Sequence, residues 1–176
     1  MTKSIDLQDV INLRQEIHKY PEVSGEEHDT ARRIKEFISS YNPDQILTDI
    51  GGAGIVAQWK GQESGPSVTI RAELDGLPIQ EQSDLTYKST NDNKGHLCGH
   101  DGHMMIVAAL AKKLGNDKPK KGTVNLLFQP AEETGQGARA MLDDTNFSKI
   151  KHEYLFALHN LPGYPKGEII LRKDTF

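Results

Sequence analysis

The sequence has a single cysteine among 176 residues, one tryptophan, 6% aromatic residues and almost no excess of either charge. The lone cysteine, Cys98, has no partner for an internal disulfide, which excludes a disulfide-built scaffold. Lys and Arg number 21 against 25 Asp and Glu, a net charge of −4. A nucleic-acid-binding domain shows a strong basic excess, so no nucleic-acid partner is expected. Mean hydropathy is −0.58. No run approaches the roughly 18 apolar residues of a membrane-spanning helix, so no membrane partner is expected. Residues 1–6 lack the apolar stretch of a secretory signal, which makes a cytoplasmic location the expectation. Gly51-Gly-Ala-Gly54 does not fit Gly-x-Gly-x-x-Gly, which removes a dinucleotide site. What remains is a globular chain of one-domain length whose hydrophobic fraction, 36%, gives a lean core.

Periodicity places the elements. Leu7, Val10, Ile11, Arg14 and Ile17 share one helical face, with Asp6 as N-cap, and Tyr20-Pro21 stops that helix. Ser24-Gly-Glu-Glu27 reads as a capping box before a second helix carrying Ala31, Ile34, Phe37 and Ile38. Ile55–Trp59 and Val68–Ile70 read as strands bounded by Gly and Pro turns. Residues 82–97 are polar and read as an exposed loop. A helix is expected from His103 through Leu114 with Gly115 at its end, and a solvated tip at Lys118, Lys120 and Lys121. Val124–Phe128 has the continuous apolar run of a strand buried on both faces. A short helix over Gly137–Leu142 and buried strands at Tyr154–Leu158 and Gly167–Leu171 complete an α/β order, a mixed sheet with helices on both faces.

Ligand-type residues cluster at the ends of these elements. His96-Leu-Cys98-Gly-His100-Asp101-Gly-His103 gathers thiolate, imidazole and carboxylate, the donors that suit zinc and similar divalent ions. Cys98 and His100 lie two apart, so in extended chain they face one site. The alternative is a loop with a buried free cysteine and two exposed histidines. Glu132-Glu133 follows the buried strand at Leu126–Phe128, where ligands collect in open α/β sheets. Adjacent carboxylates there are expected to point to different sides, one holding a metal and the other a water. Arg71-Ala-Glu73-Leu-Asp75 and His159 occupy two further strand ends.

These motifs resemble those of the M20 metallopeptidases. They are Arg71-Ala-Glu-Leu-Asp-Gly-Leu-Pro78, Cys98-Gly-His-Asp-Gly-His103, Gln129-Pro-Ala-Glu-Glu133 and Ala157-Leu-His159, in the family's order. The subgroup is the amidohydrolases: hippurate hydrolases, N-acyl-amino-acid deacylases and auxin-conjugate hydrolases. Leu13-Arg-Gln-Glu-Ile-His18 with Pro21-Glu22 is similar to that subgroup's opening helix motif. The resemblance implies the catalytic-domain fold of zinc-exopeptidase-type enzymes. It implies two divalent ions (zinc, manganese, cobalt or nickel), Cys98 bridging them, with His100, Glu133 and His159 as further ligands. Glu132 and Asp75 are its catalytic carboxylates, Glu132 as general base, and the reaction is hydrolysis of an N-acyl amino acid or dipeptide-like amide. Asp101 and His103 orient ligands, His18 is structural, and His28 and His152 are exposed. Glu73 departs from the family's usual Asp and reaches one methylene further.

Family chains run on through a smaller lid domain, by which relatives form homodimers, and return to the catalytic domain with a last histidine ligand. Residues 1–176 are therefore expected to be the N-terminal segment of the catalytic domain, with four of five metal ligands and with the lid and the C-terminal catalytic segment absent. The alternative reading is an inactive fragment that binds metal weakly.

Overall fold

The computed structural model describes residues 6–171. Its elements are α1 (Gln8–Lys19), α2 (His28–Ser39), β1 (Gln45–Ile50), β2 (Gly54–Lys60), β3 (Glu63–Glu73), α3 (His100–Asn116), β4 (Lys121–Gln129), α4 (Gly137–Asp143), a 3-10 turn (Phe147–Lys149) and β5 (Tyr154–Ala157). The strands form one mixed sheet in the order β1-β2-β4-β3-β5. β1 and β2 run antiparallel to their neighbours, while β4, β3 and β5 are mutually parallel. This is the expected α/β class. Among the described residues no helix is long and apolar enough to cross a membrane.

Strand alternation divides the side chains between two layers. Ile55, Ala57, Trp59, Ala72, Leu126 and Phe128 meet Ile17 of α1, Ile34 and Ile38 of α2, and Met104, Val107 and Ala111 of α3. Val56 and Leu127 face the other way and join Ile50, Met141, Phe147 and Ile150 beneath α4. The second face is polar toward β3. Asn125, fully buried, accepts from Gln58 Nε2 at 2.8 Å and donates to Thr69 Oγ1 at 3.0 Å and Ser67 Oγ at 3.1 Å. The low hydrophobic content of the sequence is thus partly a polar layer closed by internal hydrogen bonds.

Several local expectations are corrected. Ser24 does not cap α2. The Glu22 carboxylate accepts from the Asp29 and Thr30 amides at 3.2 and 2.6 Å, and Ser24 is drawn away to Asp75. α3 starts at His100, because Gly99, left-handed at φ 99°, breaks the chain there, and it continues through Gly115. Residues 82–97 lack regular structure, but Ser89 and His96 are buried. β5 forms, yet all four of its residues are exposed; among the described residues its one strand partner is β3, and pairing along an edge does not cover the faces of a strand. Gly167–Leu171 makes no strand, having no paired neighbour among the described residues. Lys118 is not simply solvated; it pairs with Asp44 at 2.7 Å. His28 is exposed, but His152 stacks on Phe147 and bonds Thr69 Oγ1 at 2.8 Å. The N-cap position of α1 is Leu7, not Asp6, although Asp6 Oδ1 accepts from the Gln8 amide at 3.0 Å.

Candidate metal centre

The parallel strands β3, β4 and β5 all end at the same edge of the sheet, so the segments that follow them converge there. Leu74 N–H donates to the Gln129 carbonyl at 2.8 Å and ties the first two ends together. Asp75 comes next and is fully buried. Its Oδ2 accepts from Ser24 Oγ at 2.7 Å and from the Glu133 amide at 2.9 Å. Burial raises this carboxyl, but the contacts from His100, Ser24 and the Glu133 amide outweigh it and hold the group below the usual range.

His100 opens α3 and is also fully buried. Its Nδ1 lies 2.8 Å from the Asp75 carbonyl and 3.3 Å from Asp75 Oδ1, so Nδ1–H donates there and Nε2 carries the lone pair. That Nε2 faces Glu132 Oε2 at 3.7 Å and Glu133 Oε1 at 3.8 Å. His100 Nε2 and Glu133 Oε1 are both shut off from solvent without a hydrogen-bond partner. Glu132 and Glu133 therefore turn to the same side, not to opposite sides as expected, because the turn after β4 rotates both toward His100.

The turn that does this is strained. Ala131 is left-handed at φ 47° and its amide donates to the buried Glu27 carboxylate at 2.7 Å. A left-handed conformation costs an L-residue about 1–2 kcal/mol, and glycine's greater chain entropy returns about 0.5–1 kcal/mol of that. Ala131→Gly is accordingly expected to leave urea-unfolding stability equal or raise it by up to about 1 kcal/mol. A clear loss would show that the conformation is not strained.

Cys98 and His159 close the site from the other side. Cys98 Sγ is 3.4 Å from His159 Nε2, and donor atoms of Cys98, His100 and His159 lie within 4.8 Å of one another. The same holds for His100, Glu132 and Glu133 and for Glu73, His100 and His103, so His100 is common to all three donor groups. Burial first, then Glu133, Glu132 and Glu73, push the Cys98 thiol up to about 12. A nucleophilic cysteine needs the opposite shift, whereas a cation among these carboxylates favours the thiolate. An orphaned imidazole nitrogen, an orphaned carboxylate oxygen, a thiol and a second imidazole fit a divalent ion of the zinc, manganese, cobalt or nickel type.

Supporting residues surround these donors. Glu73 is buried, pairs with Arg71 and contacts His103 Nδ1 at 3.0 Å, and His103 Nε2 meets Asn160. Gly99 leaves the space that Asn160 Oδ1 fills. Asp101 turns away from the donors to His18 Nδ1 at 3.0 Å and Arg14 Nε at 2.9 Å. Sequence reasoning missed Ser24, Glu27 and Asn160. Only Asn160, next to His159, carried a positional signal.

Residues 69–173 match the family model described as peptidase family M20/M25/M40. The chain is 37% identical to the N-acetylcysteine deacetylase of Bacillus subtilis over 161 residues, 91% of this chain and 42% of that protein. It is 36% identical to the hippurate hydrolase of Campylobacter jejuni over 172 residues, 97% of this chain and 44% of that one. The crystal structure of Bacillus subtilis YXEP, a dinuclear metal-binding peptidase of the M20 family, superposes with a TM-score of 0.81 at 37% identity. It covers 89% of this chain and 44% of that one. The chain thus spans less than half the length of these relatives.

Proposed function

The chain belongs to peptidase family M20/M25/M40, and we propose that it carries the first part of a metal-dependent active site that hydrolyses the amide bond of N-acyl amino acids or small peptide-like substrates. The observation that carries this reading is the buried, unpartnered His100 Nε2 faced by Glu132 and Glu133. The kinship to an N-acetylcysteine deacetylase and a hippurate hydrolase supports the substrate class. In this reading residues 1–176 are the N-terminal segment of the catalytic domain.

Cys98, His100, Glu133 and His159 would hold two divalent ions. Such ions, when bound, polarise a carbonyl and lower the pKa of water. Asp75 acts through His100: buried behind it, it fixes the imidazole and the Glu133 backbone and has no access to substrate. It is a positioning residue, not a catalytic one. Glu132 is the more exposed of the two carboxylates, its side chain 38% accessible against 21% for Glu133. It takes a proton from the attacking water and returns it to the departing amine, so that amide and water become a carboxylic acid and an amine.

The reading is tested by release of amino acid from N-acetyl and N-benzoyl amino acids, with and without added manganese, zinc, cobalt or nickel. Turnover that requires the metal is expected. Turnover undiminished after exhaustive chelation would contradict the reading.

A further inference from the structure

An open recess of about 430 Å³ lies directly beside the candidate centre, walled by Val23, Leu77, Pro78 and Ile79 and reaching Glu133, with Ser24 and Thr134 as its other members. We propose that this recess receives the acyl half of the substrate and that the acyl group it fits is an apolar one larger than acetyl, an aliphatic chain of several carbons or an aromatic ring. The proposal rests on the hydrolytic reading above and specifies its substrate.

Three observations carry it. The first is position: Glu133 borders both the recess and His100, so a group seated in the recess is joined directly to a carbonyl placed at the centre.

The second is polarity. An N-acyl amino acid has one half with a carboxylate and one half without. Among the described residues the recess is lined by no Lys, Arg or His, and the one ionisable side chain there is Glu133, itself an anion. Both hydroxyls are already donating, Ser24 Oγ to Asp75 at 2.7 Å and Thr134 Oγ1 to the Ala131 carbonyl at 3.3 Å. A carboxylate entering the recess would lose its hydration and find no donor in those side chains. The amino-acid half is therefore directed elsewhere, and the uncharged acyl half enters.

The third is size and rigidity. The recess is in the volume range of small-molecule sites, and a lone methyl would leave most of its apolar wall wet. Ile79 is 49% exposed, apolar surface that a larger acyl group would cover. The wall is fixed by backbone pairing: Val23 bridges Gly76, and Leu77 exchanges both hydrogen bonds with Gly95 at 2.9 and 3.0 Å.

The test uses neutral amides, which stand for acyl groups without an anchoring charge. Methyl-resolved NMR of the metal-free chain is recorded during titration with acetamide, hexanamide and benzamide. Hexanamide and benzamide are expected to shift the methyls of Val23, Leu77 and Ile79 at concentrations about tenfold or more below those acetamide needs. In Ile79→Asp, whose spectrum also reports that the fold is intact, that preference should shrink to less than about threefold. Equal response to acetamide, shifts confined to other methyls, or an Ile79→Asp variant that keeps the full preference would each overturn the proposal. No turnover is measured, so failure here and failure of the hydrolytic reading are separate results.

Discussion

Glu132→Gln is expected to lower hydrolysis of an N-acyl amino acid by about 10²- to 10⁴-fold while leaving the bound metal unchanged. The substitution keeps the shape and one acceptor oxygen of the side chain but removes its ability to take a proton. Its neighbour supplies the contrast. Glu133 has its amide fixed by Asp75 at 2.9 Å and a buried oxygen without a partner, the environment of a ligand. Glu132 stands nearer to solvent, where water and substrate arrive. Glu133→Gln should therefore reduce metal content as well as rate. Metal analysis alongside kinetics separates the two roles. Full turnover in Glu132→Gln would remove it as the general base.

His18→Leu is expected to cost about 3 kcal/mol of folding stability, the low end for breaking a buried ion pair. His18 is buried between two carboxylates, Asp101 Oδ2 at 3.0 Å from Nδ1 and Glu81 Oε1 at 3.1 Å from Nε2. Arg14, Ser83 and the Ser89 amide still reach those carboxylates in the variant, which keeps the cost moderate. The Asp101 contact, against the pull of burial and with help from Glu81, raises the imidazole above its ordinary 6.5. The contribution of the protonated ring is thus fully present below pH 6.5 and is lost as pH rises through the raised value. Denaturation of wild type and variant at several pH values should show the gap widest at or below pH 6.5 and narrowing in alkali. A gap that widens with rising pH would show that His18 is neutral in the fold.

The same segment shows what was legible in the sequence. His18 reads as structural on the family resemblance alone, as part of the opening helix motif. The carboxylates that fix it, Glu81 and Asp101, are 63 and 83 residues away, and only tertiary packing reveals them. The β4 run Val124–Phe128 was legible because a strand buried on both faces must be apolar throughout. β1 was not: its sequence alternates poorly, its pairing shifts between Leu47 and Ile50, and Asp49 is left-handed at φ 59°. β5 read as buried because an apolar run says that something covers it without saying what. Glu132, Glu133 and His159 read as candidates because they follow apolar strand runs, and Cys98 and His100 because they lie two apart in a cluster of ligand types; the family resemblance joined them into one set, and the edge that the parallel strands share with the start of α3 emerges only in the fold. Ser24 was misassigned because a local capping pattern and a distant bond to Asp75 compete for the same hydroxyl, and the buried partner wins.

Cys98, His100, Glu133 and His159, if they form one cation centre as proposed, should bind a single spectroscopic probe together. Cobalt(II) titration of the chain, followed by absorption and by metal analysis, reads this out, because a thiolate bound to cobalt gives an intense charge-transfer band. The band is expected in the wild type and lost in Cys98→Ser, with weakened cobalt binding and the band retained at saturation in His159→Ala. Cobalt bound without the band, or a band that survives in Cys98→Ser, would contradict it.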